Sequence, residues 1–475
     1  MDSVERASRV IDAVRALGVG EFCVCAGSRN APLLAVLGTL DVRLFSFVDE
    51  RSAAFFALGR IKLHGAPVAV VTTSGTAVAE LLPATIEAYY SGLPLILITA
   101  DRPARFRGTG APQAIEQVGI FGVYAETSDW SGKGPFHVNV ELEEYGVRQR
   151  QLPLSMAEAP ASAPRGSLRC RDGERQLALP HSRPLVLLGA LAEKHRQFVK
   201  ERIHAPAYAE PLSGLREDPD LPLLHFERTI AKANFDSVIR IGNVPTLRFW
   251  RDLETLDLPV THFSDLPFPG LTRGEVHPIE ALPHIHGEPM DEQDYAERFQ
   301  QILDDEPDSE LAMFRRLSSE LPEHARVYLG NSLPIREWDL AATRAPRGFV
   351  YEANRGANGI DGQLSTFLGW CAPGAHNVAV VGDLTAIYDL GAPWIAPQLD
   401  APFRIVIVNN GGGRIFGRVA SLRALDPQLR ARIIENEHHF SFEQWAKMWD
   451  IDVTELRPDA EASRRAWERY DALWA

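Results

Sequence analysis

The sequence has few cysteines and no long apolar run, and both features restrict the kind of protein it can be. Its 4 cysteines are Cys23, Cys25, Cys170 and Cys371. They form no Cys-x-x-Cys pair, so we expect reduced thiols in a cytoplasmic protein without a zinc site. No apolar run approaches the roughly 18 residues of a membrane span, and the acidic first five residues are typical of an amphipathic helix, not of a signal peptide.

Positive charge is also scarce, because 49 lysines and arginines face 63 aspartates and glutamates and leave a net charge of −14. We therefore expect no nucleic acid partner. No Gly-x-Gly-x-x-Gly run opens a helix after a strand, which argues against a nicotinamide dehydrogenase. Hydrophobic residues, by contrast, make up 45% of the 475 positions, enough for sizeable cores in about three domains of roughly 150 residues each.

Short β-branched runs alternate with helix-like segments, and glycine, proline or small polar residues close each run. This pattern predicts an α/β fold made of doubly wound parallel sheets. We place three domains at residues 1–165, 180–305 and 308–475, of which the middle one is short. A proline- and alanine-rich stretch from about 141 to 183 is typical of a linker around a poorly defined hairpin.

Two apolar runs in the last third of the chain end in residues that can bind a metal ion. Residues 378–381 are followed by Gly-Asp-Leu-Thr (382–385), and residues 405–408 by Asn-Asn-Gly-Gly-Gly (409–413). The carboxyl ends of parallel strands form the ligand-binding edge of such sheets. A carboxylate and a carboxamide beside glycine-rich backbone suit Mg²⁺ and a diphosphate. On spacing alone, a helix-capping Asp383 and a turn residue at Asn410 explain the pattern equally well.

Together these motifs resemble the metal-diphosphate motif of thiamine diphosphate enzymes, although Leu384 stands where many of them have glycine. Gly-Asp-Leu-Thr with Tyr-Asp-Leu (388–390) is similar to one branch, the 2-succinyl-5-enolpyruvyl-6-hydroxy-3-cyclohexene-1-carboxylate (SEPHCHC) synthases of menaquinone biosynthesis. Residues 330–333 and 354–362 resemble further motifs of that family, in the same order. The resemblance implies three doubly wound domains of the thiamine diphosphate-enzyme type, with the first binding the pyrimidine and the third the diphosphate.

The resemblance also implies the cofactors, thiamine diphosphate and Mg²⁺ (or Mn²⁺), and the residues that hold them. The implied metal ligands are Asp383, Asn410 and Gly412. The implied cofactor-binding residues are Glu50, Gly75, Gly382, Asp383, Leu384, Thr385, Asn410, Gly412, Gly413 and Ile415.

Glu50 is the candidate catalytic residue. It follows a strand-like run, and Phe47, Phe55 and Phe56 give it an apolar setting in which the pKa of a glutamate rises. The alternative is an ordinary acidic residue in the first turn of a helix. The Asp-Glu-Arg-Ser motif (49–52) is similar to the family motif whose glutamate hydrogen-bonds the cofactor aminopyrimidine, so the resemblance implies that role for Glu50.

The resemblance further implies a substrate site rich in arginine. Its residues are Ser28, Arg29, Arg102, Gln113, Arg248, Ser332, Arg336, Arg355, Ile415 and Phe416. Arginines at strand ends suit dicarboxylate substrates, because an acidic chain needs local cations to bind them. Pro112 stands where the family loop has asparagine, which removes one side-chain hydrogen-bonding group.

The activity implied is decarboxylation of 2-oxoglutarate followed by 1,4-addition of the resulting succinyl semialdehyde carbanion to isochorismate. Because Glu50 and Asp383 fall in different domains, the resemblance also implies a homodimer or homotetramer with active sites at the subunit interface. The alternatives are another thiamine diphosphate-dependent carboligase or 2-oxoacid decarboxylase, such as an FAD-containing acetolactate synthase, and a non-catalytic cofactor-binding homologue. We expect His438 and His439 to be structural or surface residues.

Overall fold

The computed structural model describes residues 2–143, 183–256, 258–270, 274–288, 290 and 292–474. The expected linker with its hairpin, the limit at residue 165 and Cys170 lie largely or wholly outside these ranges. Within them, every pairing between the strands is parallel. None of the helices described is both long and apolar enough to cross a membrane.

The first unit is a five-stranded sheet with the strand order β2-β1-β3-β4-β5 and helices on both faces. The central strands β3 and β4 are buried along their whole length, as expected for β-branched runs covered on both sides. Pro83 lies in the first turn of the helix Leu82–Ser91, which a short break separates from the preceding helix. The strands are β1 (Glu21–Cys25), β2 (Arg43–Phe47), β3 (Val68–Thr72), β4 (Leu95–Asp101) and β5 (Phe136–Glu141), and the helices are α1 (Ser3–Ala16), α2 (Ala31–Leu37), α3 (Glu50–His64), α4 (Thr76–Ala79) and α5 (Leu82–Ser91).

The middle unit has a six-stranded sheet of order β12-β11-β10-β6-β8-β9 and a two-stranded sheet that pairs β13 with β7. Counted from β6, the larger sheet has the order 3-2-1-4-5-6 of dinucleotide-binding folds. Its strands are β6 (Pro184–Leu188), β8 (Ala207–Ala209), β9 (Leu223–Leu224), β10 (Ser237–Ile241), β11 (Val260–Phe263) and β12 (Val276–His277); the pair is β7 (Ile203–His204) and β13 (Ile285–His286); the helices are α6 (Glu193–Lys200), α7 (Glu227–Lys232) and α8 (Arg248–Asp252).

The third unit repeats the strand order of the first, as β15-β14-β16-β17-β18. Its strands are β14 (Arg326–Leu329), β15 (Val350–Glu352), β16 (Asn377–Gly382), β17 (Phe403–Val408) and β18 (Asp452–Leu456). Its helices are α9 (Gln293–Asp305), α10 (Glu310–Glu320), α11 (Leu333–Ala341), α12 (Gln363–Trp370), α13 (Asp383–Tyr388), α14 (Ala420–Arg423), α15 (Pro427–Leu429), α16 (Glu443–Trp449) and α17 (Ala460–Ala472).

The predicted α/β fold with doubly wound parallel sheets is confirmed, while the domain limits that we placed stay predictions. In both terminal sheets, the second strand of the unit lies on one side of its first strand, and the third strand lies on the other side. The crevice between the first and third strands is therefore a topological switch point, where α/β sheets bind ligands. In the third sheet this crevice lies between the ends of β14 and β16.

Helices α3 and α12 join the first and third units by an unusually close crossing. A Cβ on Gly59 would lie 2.0 Å from the carbonyl oxygen of Thr366, and a Cβ on Gly369 would lie 2.2 Å from that of Phe56. Only glycine allows two helices to approach this closely. The crossing buries aromatic residues of both units in one continuous core, including Phe55.

Arg216 ties the middle unit to the C-terminal end of α11. Its guanidinium is fully buried and donates to the carbonyl oxygens of Trp338, Asp339, Ala342 and Thr343, at 3.2, 2.9, 3.0 and 2.9 Å. These carbonyls lie at or just beyond the end of the helix, where helical partners run out. The arginine therefore satisfies the end of α11, whose other end faces the candidate site.

Candidate active site

The metal motif lies at the ends of β16 and β17, beside the switch point of the third sheet. Strands β16 and β17 are neighbours and Gly382 pairs with Val408, so the residues that follow each strand meet at one edge. Asp383 is the first residue of α13 and is 2% exposed. Its Oδ2 accepts hydrogen bonds from the backbone N–H groups of Gly411 and Gly412, both at 2.9 Å. Burial raises the pKa of the Asp383 carboxyl, and these backbone donors oppose the rise.

A cavity of about 110 Å³ opens beside this edge. It brings together most of the predicted cofactor residues and three of the predicted substrate residues, Ser332, Ile415 and Phe416. Its lining is Glu310, Asn331, Ser332, Leu333, Pro334, Ile360, Gly382, Asp383, Leu384, Thr385, Val408, Asn410, Gly412, Gly413, Arg414, Ile415 and Phe416.

The residues at this edge fit a divalent cation. The Oδ1 atom of Asn410 is buried and has no hydrogen-bond partner in the described part of the chain. An orphaned amide oxygen near a buried carboxylate is the donor set that Mg²⁺ and Mn²⁺ prefer. Gly412 has a φ of 134°, and a Cβ there would lie 2.6 Å from the carbonyl oxygen of Glu435, so the loop after β17 closes only with glycine at this position.

His438 lies beside Asp383 and is buried, so of the two roles expected for it, structural or surface, the surface role was wrong. Its side chain is 6% exposed, and its Nε2 lies 3.2 Å from Asp383 Oδ2. Its Nδ1 accepts from the backbone N–H of Phe440 at 3.2 Å, which holds the imidazole ring beside the carboxylate. Its neighbour His439 is exposed, as expected.

A pair of buried carboxyl groups lies behind Asn410. Glu310, 4% exposed, accepts a hydrogen bond from Asn410 Nδ2 at 3.1 Å. Burial raises the pKa of Glu310 well above its usual range, and the nearby carboxyl of Glu337 raises it further. Arg418 donates to Glu337 Oε1 at 2.6 Å. The pKa of Glu310 is therefore raised both by burial and by a carboxyl neighbour that is itself paired with Arg418.

Three of the predicted substrate residues meet at the start of α11. Arg336 donates to the carbonyl oxygen of Ser332 at 2.5 Å, and Arg355 donates to Asn331 Oδ1 at 2.7 Å. Ser332 has a φ of 76°, an uncommon backbone for serine. Burial lowers the pKa of Arg355 to about 10, so its guanidinium is still charged at neutral pH and is costly to bury without an anion.

Glu87, from helix α5 of the first unit, holds the loop that carries Arg355. Its two carboxylate oxygens accept from the backbone N–H groups of Gly356 and Ala357 at 2.8 and 2.7 Å. A Cβ on Gly356 would lie 2.6 Å from the Glu87 carbonyl oxygen. Sequence reasoning missed Glu87, because no local motif marks a residue whose partners lie some 270 positions away.

A second group of predicted residues gathers at the switch point of the first sheet. A Cβ on Gly75 would lie 3.0 Å from the Cα of Gln113, and a Cβ on Gly27, next to Ser28, would lie 2.5 Å from the Thr73 side chain. Gln117, which the sequence analysis did not single out, is fully buried and accepts from the Gly75 N–H at 2.9 Å.

Glu50 is the first residue of α3, directly after its capping residue Asp49. Burial raises the pKa of the Glu50 carboxyl, and the carboxylates of Asp49 and Glu80 add to the rise. The expected direction of the shift is thus present, and so is the alternative position in the first turn of a helix. Catalysis by Glu50 stays a prediction.

Three predicted substrate arginines make other contacts. Arg29 is 3% exposed and donates to the carbonyl oxygen of Leu142 at 2.9 Å. Arg102 donates to the carbonyl oxygen of Pro112 at 2.7 Å and so supports the loop that carries Gln113. Arg248 begins α8 in the middle unit and is exposed, with Asp252 of the same helix 3.9 Å away.

The two groups of residues are separate within one chain. Every residue that lines the cavity lies between 310 and 416, whereas Glu50, Gly75 and Gln113 belong to the first unit. The arrangement places residues that fit a divalent cation on the third unit and a partly buried glutamate of raised pKa on the first.

Comparison with known proteins gives two kinds of match. Residues 5–120 match the family model described as the thiamine pyrophosphate enzyme, N-terminal TPP binding domain, where thiamine pyrophosphate is another name for thiamine diphosphate. A SEPHCHC synthase from Bdellovibrio bacteriovorus is 42% identical over 100% of both chains. The synthase from Akkermansia muciniphila is 40% identical over 93% of this chain and 89% of its own. The synthase from Bacillus velezensis is 32% identical over 86% and 82%.

The similarity runs through the whole chain, so it includes the middle unit that looked short in the sequence. It also includes the motifs at both switch points. The chain therefore belongs to the SEPHCHC synthase family of thiamine pyrophosphate enzymes.

Proposed function

We propose that this protein binds thiamine diphosphate and Mg²⁺, decarboxylates 2-oxoglutarate and adds the resulting four-carbon unit to isochorismate, giving SEPHCHC and CO₂. The observation that supports the proposal best is the cavity of the third unit, which combines an orphaned Asn410 oxygen with buried Asp383 and is also lined by Ser332, whose carbonyl oxygen accepts from Arg336. Bound thiamine diphosphate would supply a nucleophilic carbon that stabilises negative charge after CO₂ leaves.

The chain's own residues would bind the cation and the cofactor, orient the substrates and neutralise the substrate carboxylates. Asp383, Asn410 and the Gly412 carbonyl would hold the cation, and the cation would draw the diphosphate to the edge formed by residues 382–385 and 411–413. Arg336 and Arg355 would bind the substrate carboxylates. A charge-assisted hydrogen bond of this kind contributes roughly 1.5–3 kcal/mol, and burial of Arg355 strengthens it.

Glu50 would hold or exchange a proton with the cofactor aminopyrimidine. A carboxyl group suits this task when its pKa lies closer to neutral pH than usual, which is the direction that burial gives Glu50. Because the lining of the cavity includes no residue of the first unit, we propose that Glu50 serves the cavity of a second subunit. The active form would then be a homodimer or homotetramer with shared sites.

The shape of the middle unit argues against an FAD-containing carboligase as the alternative. Its sheet has the dinucleotide-binding strand order, but the loops after β6 and β10 pack directly on each other. A Cβ on Gly189 would lie 2.1 Å from the Asn243 carbonyl oxygen, and one on Gly242 would lie 2.5 Å from that of Ala190. The described residues therefore fill the crevice in which a dinucleotide pyrophosphate would bind.

The test is a turnover assay with both substrates. Purified protein is incubated with Mg²⁺, thiamine diphosphate, 2-oxoglutarate and isochorismate, and isochorismate loss, CO₂ and product mass are followed. We expect turnover that requires every component. Replacing Glu50 by glutamine should lower kcat by about 10²–10⁴-fold, the usual contribution of a positioned acid or base.

The matched control is Glu116→Gln, which alters an exposed glutamate of the same unit and should behave as wild type. CO₂ release without isochorismate loss would leave the cofactor site in place and refute the acceptor. Cofactor binding with no change in either substrate would favour a non-catalytic homologue.

A further inference from the structure

Asn410 presents its side-chain oxygen to the cation only if its amide group is turned the right way. The two ends of a carboxamide have nearly the same shape, so hydrogen-bond partners decide which end faces where. In this structure Asn410 Nδ2 donates to Glu310 Oε1 at 3.1 Å, while Oδ1 is buried without a partner. The rest of Asn410 is anchored through its backbone oxygen, which accepts from Arg414 Nε at 3.1 Å.

Glu310 is itself held in place from several sides. It is the first residue of α10, whose capping residue Ser309 accepts from the Ala312 N–H at 3.2 Å. Its own N–H donates to Ser463 Oγ at 3.0 Å. Its side chain also lines the cavity. A rigid acceptor for the Nδ2 end of Asn410 fixes which end of the amide is left to bind a metal ion.

A packing role does not explain a carboxyl group at this position. Burying Glu310 beside Glu337 is unfavourable, since two carboxyl groups are taken out of water and only one is paired, with Arg418. An apolar side chain of similar size would fill the same volume at lower cost. What such a side chain lacks is an acceptor for Asn410 Nδ2.

We propose that Glu310 is a positioning residue of the divalent-cation site, which orients the Asn410 amide so that Oδ1 faces the cation. The inference rests on the metal site of the proposed function and assigns Glu310 no contact with the cation. Without this acceptor the amide turns over and directs its N–H₂ group toward the positive charge.

The test is Mn²⁺ affinity, measured on the full-length protein with thiamine diphosphate present from the electron paramagnetic resonance signal of free Mn²⁺. Glu310→Met removes the acceptor and keeps the volume, and we expect it to raise the Kd for Mn²⁺ by about 10–100-fold, as loss of an outer partner of a metal ligand usually does. Glu310→Gln keeps a carbonyl acceptor, so its Kd should stay close to that of wild type. Glu337→Gln alters the neighbouring buried carboxyl and should also stay close.

Two further variants separate the possible failures. Asp383→Ala should weaken Mn²⁺ binding strongly, and if it does not, both the metal site and the role of Glu310 are wrong. If Asp383→Ala weakens binding and Glu310→Met does not, the metal site stands and the role of Glu310 is refuted. Equal weakening by Glu310→Met and Glu337→Gln would show a general packing effect and would also refute it.

Discussion

Glu210, in the middle unit, is a buried carboxyl group within electrostatic reach of the candidate site. It is 4% exposed and accepts hydrogen bonds from both the N–H and the hydroxyl of Thr246. Burial raises its pKa to about 7, and the carboxylate of Asp339 adds to the rise, while Thr246 and Arg355 oppose it. The raised pKa of Glu210 thus lies close to neutral pH, and the nearby predicted substrate residue Arg355 lowers it.

We expect Glu210 to make the stability of the protein depend on pH. Because its folded pKa is raised from 4.5 to about 7, the stability that the neutral group contributes is complete below about pH 4.5 and is lost as the pH rises through about 7. The free energy of unfolding of wild type should therefore fall relative to that of Glu210→Gln by on the order of 3 kcal/mol across this window. Denaturant unfolding at several pH values measures the difference.

The exposed variant Glu323→Gln is the control and should follow wild type at every pH. A constant difference between wild type and Glu210→Gln would mean that Glu210 does not change its charge in this range.

Residues of the candidate site could be found from the sequence where a local motif marks them. They were missed where only the folded chain brings them to the site. Asp383 and Asn410 follow apolar runs and were placed correctly at one sheet edge. Glu310 and Glu87 were missed, because their partners lie about 100 and 270 positions away. For His438 only the surface alternative was wrong, since a pair of adjacent histidines gives no sign of which one points inward.

At the scale of elements, the crossing of α3 and α12 is the tightest contact between the first and third units. It depends on Gly59 and Gly369, whose missing side chains let the backbones meet. From the sequence alone, these two glycines argue only against a helix, because glycine has a low helix propensity. Strands were easier to predict, because a strand that is buried on both faces of its sheet has a continuous apolar and β-branched sequence, as residues 405–408 do.

We expect Gly369→Ala to destabilise the protein. The added Cβ would lie 2.2 Å from the Phe56 carbonyl oxygen, so the helices must separate, and overpacking of this kind costs about 1–3 kcal/mol. The measurement is the denaturant midpoint of the first unfolding transition. Gly391→Ala is a suitable control, because its φ is negative and a Cβ there meets nothing within 4 Å. Equal midpoints for the two variants would mean that the crossing can relax without loss of stability.

At the scale of the whole molecule, the repeated strand order puts one half of the proposed site on each terminal unit. The close helix crossing fixes these units together within a chain, while the cavity is lined from the third unit alone. The sequence predicted that Glu50 and Asp383 belong to different domains. It could not predict the distance between them, because the packing of whole domains depends on long-range contacts such as those of Glu87.

Shared sites make a prediction about mixed oligomers. Glu50→Gln and Asp383→Ala should each be nearly inactive alone. A heterodimer purified through two different tags contains one intact site out of two, so it should recover about half of the wild-type activity. A heterodimer with no activity above that of the single variants would place both residues in one chain's own site.

The hydrogen bonds from Arg216 to the end of α11 have a consequence for how this part of the protein can evolve. Arg216 donates hydrogen bonds to four backbone carbonyl groups, and every amino acid has such a group. These hydrogen bonds therefore place no demand on the side chains at positions 342 and 343, whereas position 216 requires the five donors of a guanidinium. Among distant relatives, we expect the arginine at position 216 to be retained. The hydrogen bonds that it makes to backbone carbonyls impose almost no residue type on the end of α11.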